Sequence, residues 1–172
     1  MTPLNDEVRR YMGLSTGPIE ASEPVEKGEV RRFAQAIMDE HPRYAEERPD
    51  DRYGAPIAPP LFPALMFRRP LGKPDPLLHA GDPDYDGLSL ASHTGLPDLP
   101  LPGSALVSAG VEAEFYRYAR HGESVVQRSV YRDIYEKQSS RGGQLLFTVI
   151  DSEFRTGGGE LLLRFSYRYV RR

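Results

Sequence analysis

Cysteine is absent from the 172 residues. Disulfides and thiolate catalysis are therefore excluded, and a reduced, cytoplasmic compartment is the expectation. Zinc would have to use histidine and carboxylates. The four histidines, His41, His79, His93 and His121, show no paired spacing of the H-x-x-x-H kind, so no metal site is expected. No run approaches the ~20 apolar residues that span a bilayer. The polar opening (Thr2, Asn5, Asp6, Glu7, Arg9) lacks the apolar stretch of a signal peptide, so no membrane partner is expected. An excess of positive charge is missing too. The net charge is −3, and Lys and Arg are interleaved with Asp and Glu except at the C-terminus. A nucleic-acid partner is unexpected on that ground.

What is present indicates a folded chain. Hydrophobic residues make up 39% and charged residues 27%, too apolar a balance for intrinsic disorder. The length suits one domain, 1–172, with a sizeable core. The 16 glycines and 16 prolines exceed an average share yet stay below the ~25–30% that marks low complexity. They are concentrated between Pro70 and Pro102, which reads as a loop insertion.

Val30, Phe33, Ala34, Ile37 and Met38 recur at i, i+3, i+4, i+7 and i+8, the wide apolar stripe of a helix. The pattern predicts a helix over Glu29–Asp39, buried over most of its circumference. Gly28 would be its N-cap, and His41-Pro42 would stop it. Ala58–Phe67 reads as a second, short helix with prolines in its first turn. The Pro70–Pro102 stretch has no periodicity, but it carries Leu71, Leu77, Leu78, Leu88, Leu90, Leu96, Leu99 and Leu101. It is expected to pack over the helix or a partner.

The last third alternates with period two. Val111, Ala113 and Phe115 form one set; Val126, Val130 and Ile134 a second. Leu145, Phe147 and Val149 form a third, and Leu161, Leu163, Phe165, Tyr167 and Tyr169 a fourth. Turn chemistry at Arg120-His121-Gly122, at Ser139–Gly143 and at Thr156–Gly159 predicts four long antiparallel strands joined by hairpins. An α+β fold follows, a single hot-dog: a long curved antiparallel sheet wrapped around one buried central helix.

Finer detail lies at Phe33-Ala34-x-Ala36-x-x-Asp39-x-His41-Pro42-x-Tyr44. This segment resembles the MaoC-like dehydratases, the R-specific enoyl-CoA hydratases, whose helix ends in D-x-N-P-x-H. The likeness continues at Tyr53-Gly54-x-Pro56-Ile57-Ala58-Pro59-Pro60, Tyr135-Glu136-Lys137, Gly159-Glu160-Leu161 and Val170-Arg171-Arg172. It is greatest to the non-catalytic N-terminal hot-dog of two-part members. In catalytic members an Asp and a His position a water and move its proton, while a backbone N–H at an H-G step holds the enolate oxygen.

The resemblance sets Asp39 at the catalytic Asp, His41 at the Asn and Tyr44 at the catalytic His. A phenol with a pKa near 10 is no base at neutral pH. Pro59 and Pro60 stand near the H-G step and have no N–H to offer. The implied function is a subunit of a heteromeric R-specific enoyl-CoA hydratase or 3-hydroxyacyl thioester dehydratase of fatty acid or steroid metabolism. A catalytic hot-dog partner would supply Asp and His. The substrate would be a CoA or acyl-carrier thioester, with no resident cofactor. Pro59, Pro60, Phe62 and Met66 would line the acyl pocket. The alternatives are a homodimeric hydratase that uses Asp39 with His41 or His93, and a non-enzymatic acyl-CoA-binding hot-dog.

Each of these residues also has a plain structural reading. Asp39 could be a turn-capping carboxylate, His41 and His93 loop residues, Tyr44 a half-buried aromatic, and Pro59-Pro60 helix initiation. His121 reads as structural in a hairpin. Arg168, Arg171 and Arg172 would meet a CoA phosphate or remain solvated.

Overall fold

The computed structural model describes residues 4–46, 53–67, 81, 83, 91–101, 106–140 and 142–171. Leu71, Leu77, Leu78, Leu88, Leu90, His79, Arg141 and Arg172 from the expectations above lie outside the described residues.

Helices α1 (Asp6–Arg9), α2 (Lys27–Ala36), α3 (Phe62–Leu65) and α4 (Ala91–Thr94) accompany strands β1 (Ile19–Glu20), β2 (Leu106–Phe115), β3 (Val125–Gln138), β4 (Gln144–Thr156) and β5 (Leu161–Arg171). The strands form one antiparallel sheet in the order β1-β3-β4-β5-β2. This is the expected hot-dog architecture. Among the described residues no helix is long and apolar enough to cross a membrane.

The connectivity departs from a simple meander. β3-β4 and β4-β5 are hairpins, but β2 pairs with β5, at the far edge from β1. Arg120-His121-Gly122 is therefore no hairpin turn. The chain after β2 is held by the 56–58 segment: Ala58 N–H donates to the Ala119 carbonyl (2.8 Å) and His121 N–H to that of Pro56 (3.1 Å).

The helix differs as well. It ends at Ala36, not Asp39, and Glu26 rather than Gly28 is its N-cap. Asp39 N–H returns to the Ala34 carbonyl (3.0 Å), with Met38 in the left-handed region at φ 56°. That Schellman-type reversal stops the helix before His41-Pro42 is reached. The helix is also less buried than its stripe implied. Val30 and Ala34 are buried and Phe33 is half-buried, whereas Ile37 is 46% and Met38 90% exposed, because both follow the last helical turn.

Two clusters fill the inner face of the sheet. One joins α2 and α3 to the β4–β5 hairpin: Val30, Ala58, Phe62, Phe154, Leu163 and Phe165. The other sets Leu96, Leu99 and Leu101 against Tyr131, Ile134, Leu146, Ile150 and Tyr169. The end of the proline-rich stretch thus joins the core through Thr94, Leu96, Leu99 and Leu101, against the half of the sheet that one short helix cannot reach.

This cover reassigns two strand faces. The inward set on β3 is Val125, Gln127, Ser129 and Tyr131, until a bulge between Tyr131 and Asp133 brings Ile134 inside. On β4 it is Leu146, Thr148, Ile150, Ser152, Phe154 and Thr156, not Leu145 and Phe147. Polar residues at inward positions disguised the alternation. On β5 the expected set is inward, with Leu163, Phe165 and Tyr169 buried and Tyr167 half-buried.

Gly95 joins this cover to the sheet edge. It has φ +72°, and a Cβ there would stand 2.5 Å from Ile19 Cδ1. Gly95→Ala is expected to lower stability by about 1–3 kcal/mol, through the strained φ and the displaced Ile19. A urea unfolding midpoint checks this.

Candidate active site

Asp39 and Tyr44 are brought together by two local devices. The reversal at Met38 sets Asp39 just past α2. His41 then caps a 3-10 turn, Pro42–Tyr44, its Nδ1 accepting from Arg43 N–H at 3.2 Å, while Pro42 supplies the fixed φ that starts such a turn. Tyr44 consequently points back at Asp39, and its hydroxyl donates to Asp39 Oδ2 at 2.8 Å. Asp39 is exposed and Tyr44 half-buried. Burial first, and then the hydrogen bond and charge of Asp39, push the Tyr44 phenol up to about 12. Such a group donates a hydrogen bond and takes no proton from water near neutrality.

His41 lies beside Tyr44, with ring centroids 5.9 Å apart. The Nδ1 lone pair is already engaged in the cap, so the structural role is filled.

The proposed pocket residues follow on the neighbouring segment, since Ile57 N–H donates to the Arg43 carbonyl (3.0 Å). Pro59 is buried and Pro60 half-buried. The Pro59 carbonyl accepts from Phe62 N–H (2.9 Å), starting α3. Phe62 is buried edge-on to Phe33, centroids 5.9 Å apart. Tyr44 and Met66 pack against the same cluster. Asp39, His41, Tyr44, Pro59, Pro60, Phe62 and Met66 therefore belong to one end of the fold.

His93 does not join them. It packs with the other cluster, its Nε2 3.2 Å from the Tyr169 hydroxyl and its ring edge-on to Tyr167 at 5.4 Å. The alternation marks Tyr167 and Tyr169 only as strand residues. Their polar partnership with His93 had no sequence signal, because the contact spans 76 positions. Arg171 is buried, while Arg168 pairs loosely with Glu112 at 3.5 Å. Among the described residues no cluster of His, Asp or Glu is arranged to hold a metal ion.

A curved antiparallel sheet packed on a helix, with Asp39 and Tyr44 paired at the helix end, is a hot-dog. The family described as FAS1-like, dehydratase domain region, matches residues 10–164, and the chain belongs to it. No curated protein matches the sequence. Among solved structures, the ChsH1-ChsH2 complex from Mycobacterium tuberculosis is similar with a TM-score of 0.69 at 21% identity, over 96% of this chain and 89% of that one. The MaoC-like dehydratase from Rhodospirillum rubrum gives 0.59 at 18% identity, over 94% and 93%. The C-terminally truncated HadBC (3R-hydroxyacyl-ACP dehydratase) complex from Mycobacterium tuberculosis gives 0.58 at 16%, over 93% and 96%. At these identities the likeness is one of fold. The resemblance to MaoC-like dehydratases read from the sequence agrees with the family and with these folds.

Met38 offers a check on the local geometry. Its left-handed conformation favours glycine, and its exposed side chain contributes little packing. Met38→Gly is expected to stabilise the chain by about 0.5–1 kcal/mol, read as a rise in urea midpoint.

Proposed function

We propose that this chain is the non-reacting hot-dog of a heteromeric R-specific enoyl-CoA hydratase or 3-hydroxyacyl thioester dehydratase, and that a partner hot-dog supplies the catalytic Asp and His. The observation that carries this reading is the Tyr44–Asp39 pair. Hydration of a trans-enoyl thioester needs a base to take a proton from water as its oxygen adds to Cβ. It also needs an N–H to hold the enolate oxygen until Cα is protonated. With a pKa of about 12, the Tyr44 phenol is ionised in roughly one molecule in a hundred thousand at pH 7. Pro59 and Pro60 offer no N–H, and the loss of one such donor alone costs ~3–4 kcal/mol of transition-state stabilisation. In this reading neither Tyr44 nor Pro59-Pro60 serves as base or oxyanion donor.

The free edge of β2 supports a partner. Among the described residues β2 pairs only with β5. Val111 and Phe115, in register with the inward Tyr167 and Leu163, are 55% and 52% exposed. An apolar row beside an unpaired strand edge is the surface a second hot-dog would cover. The similarity of fold to ChsH1-ChsH2 and HadBC, both described as complexes, favours a different chain as that partner. In this reading Pro59, Pro60, Phe62 and Met66 wall the acyl pocket, residues 91–101 close the far half of the sheet, and the thioester is substrate rather than cofactor.

The test is thioester hydration by the complex co-expressed with its partner. Asp39→Ala in this chain should leave kcat/KM within about tenfold, and Tyr44→His alone should confer no activity. A collapse of turnover on Asp39→Ala would make this hot-dog the reacting one.

A further inference from the structure

We propose that the outer face of the sheet binds a second, two-fold-related copy of this chain, through an apolar row that crosses β3, β4, β5 and β2 near the β3–β4 hairpin. β4 points to it first. Leu145, Phe147 and Val149 alternate as an inward set would, yet the inner face is taken by Leu146, Thr148 and Ile150. Apart from Thr148 the run from Leu145 to Ile150 is apolar on both faces, the pattern of a strand covered on both sides. The two core clusters cover the inner side, and neither contains Leu145, Phe147 or Val149.

The neighbouring strands extend the row. Tyr135 on β3 is in register with Phe147, Phe147 with Val170 on β5, and Val170 with Val107 on β2. Residues directly opposite one another share a face. The Tyr135 and Phe147 rings stack with centroids 5.2 Å apart and planes 5° apart, and the Lys137 ammonium lies 5.4 and 5.6 Å from their centroids. Tyr135, Phe147 and Val170 are half-buried, and Val107 is 42% exposed. The rest of the outer face is different. Arg132 pairs with Asp151 at 3.1 Å, Arg155 and Arg164 with Glu153 at 2.9 Å each, and Arg168 with Glu112 at 3.5 Å. That ladder is a solvated surface; the apolar row beside it is not.

The charges that flank the row identify its occupant. Asp133 and Lys137 lie two residues to either side of Tyr135, both exposed, and among the described residues neither has an ion-pair partner. A two-fold axis along the row reverses the strand direction of one sheet over the other. It sets Lys137 of each copy over Asp133 of the other. Leu145 then lies over Val149, because Lys137 is in register with Leu145 and Asp133 with Val149. Each residue of the row meets its own counterpart, in sheets stacked ~10 Å apart with strands nearly aligned. The surface is complementary to itself, which is the condition for an isologous contact. A partner charged with one sign would satisfy one flanking residue and oppose the other. The contact leaves the β2 edge open, so it is independent of which hot-dog reacts.

Sedimentation equilibrium of the full chain tests it. The wild-type chain should be dimeric at about 100 μM and dissociate on dilution, with a Kd on the order of 10 μM. Lys137→Glu and Asp133→Lys, made singly, each place like charges in both symmetry-related pairs and should raise Kd about tenfold. Combined, they recreate the opposite-charge pairs and should restore Kd to within about threefold of wild type. A monomeric wild-type chain at the higher concentration, a dimer indifferent to both single reversals, or a double reversal that fails to restore association would overturn the proposal. Should a reversal fail to fold, Val107→Lys replaces it, since Val107 would meet its own counterpart. A weakened dimer supports the two-fold contact, and an unchanged one contradicts it.

Discussion

A curved antiparallel sheet has one inner face that must be kept from water, and every distinctive feature of this chain follows from how that face is covered. α2 has ten residues and buries only Val30 and Ala34 fully. It seals the end of the sheet near the β4–β5 hairpin and no more. The other half is covered by residues 94–101, whose three leucines are all buried, Leu96 completely. An irregular cover brings unpaired backbone carbonyls with it. The sheet answers with Gln127 and Tyr131 on β3, and Ser129 and Ser152 bond each other beside them at 2.8 Å. Part of the core is polar because its lid is not a helix.

The same economy shapes the site. Because α2 stops at a left-handed Met38, Asp39 lies on an exposed reversal, and the following 3-10 turn aims Tyr44 at it. The two close on one another through a hydrogen bond. The helix end therefore presents a carboxylate already bonded to a phenol. The uncovered row on β2 then becomes significant. In the proposed reading, the apolar row at Val111 and Phe115 is where a catalytic partner would pack.

Much of this was readable from residue order. Alternation on β5, with Leu163, Phe165 and Tyr169 inward, is unambiguous because no polar residue interrupts it. The apolar stripe at Val30 and Ala34 locates the central helix, though not its end, since a methionine in a glycine-preferring position leaves no trace in a periodicity. β3 and β4 misled for a definite reason: Gln127, Ser129, Thr148 and Ser152 lie inside, and a bulge at Arg132 shifts the phase. The pairing of β2 with β5 rather than β3 was hidden because turn chemistry at His121 looks the same whether or not it closes a hairpin. Tyr44 beside Asp39 could be expected from the Pro42 turn and the family spacing. His93 against Tyr169 could not, since nothing local couples them.

The central claim, that this hot-dog shapes a reaction it does not perform, is tested most directly by assaying the purified chain without any partner against a trans-enoyl thioester. Binding without turnover is the result expected. Sustained R-specific hydration by the chain alone would contradict the claim, because it would require a base and an oxyanion donor that neither Tyr44 nor Pro59-Pro60 can be.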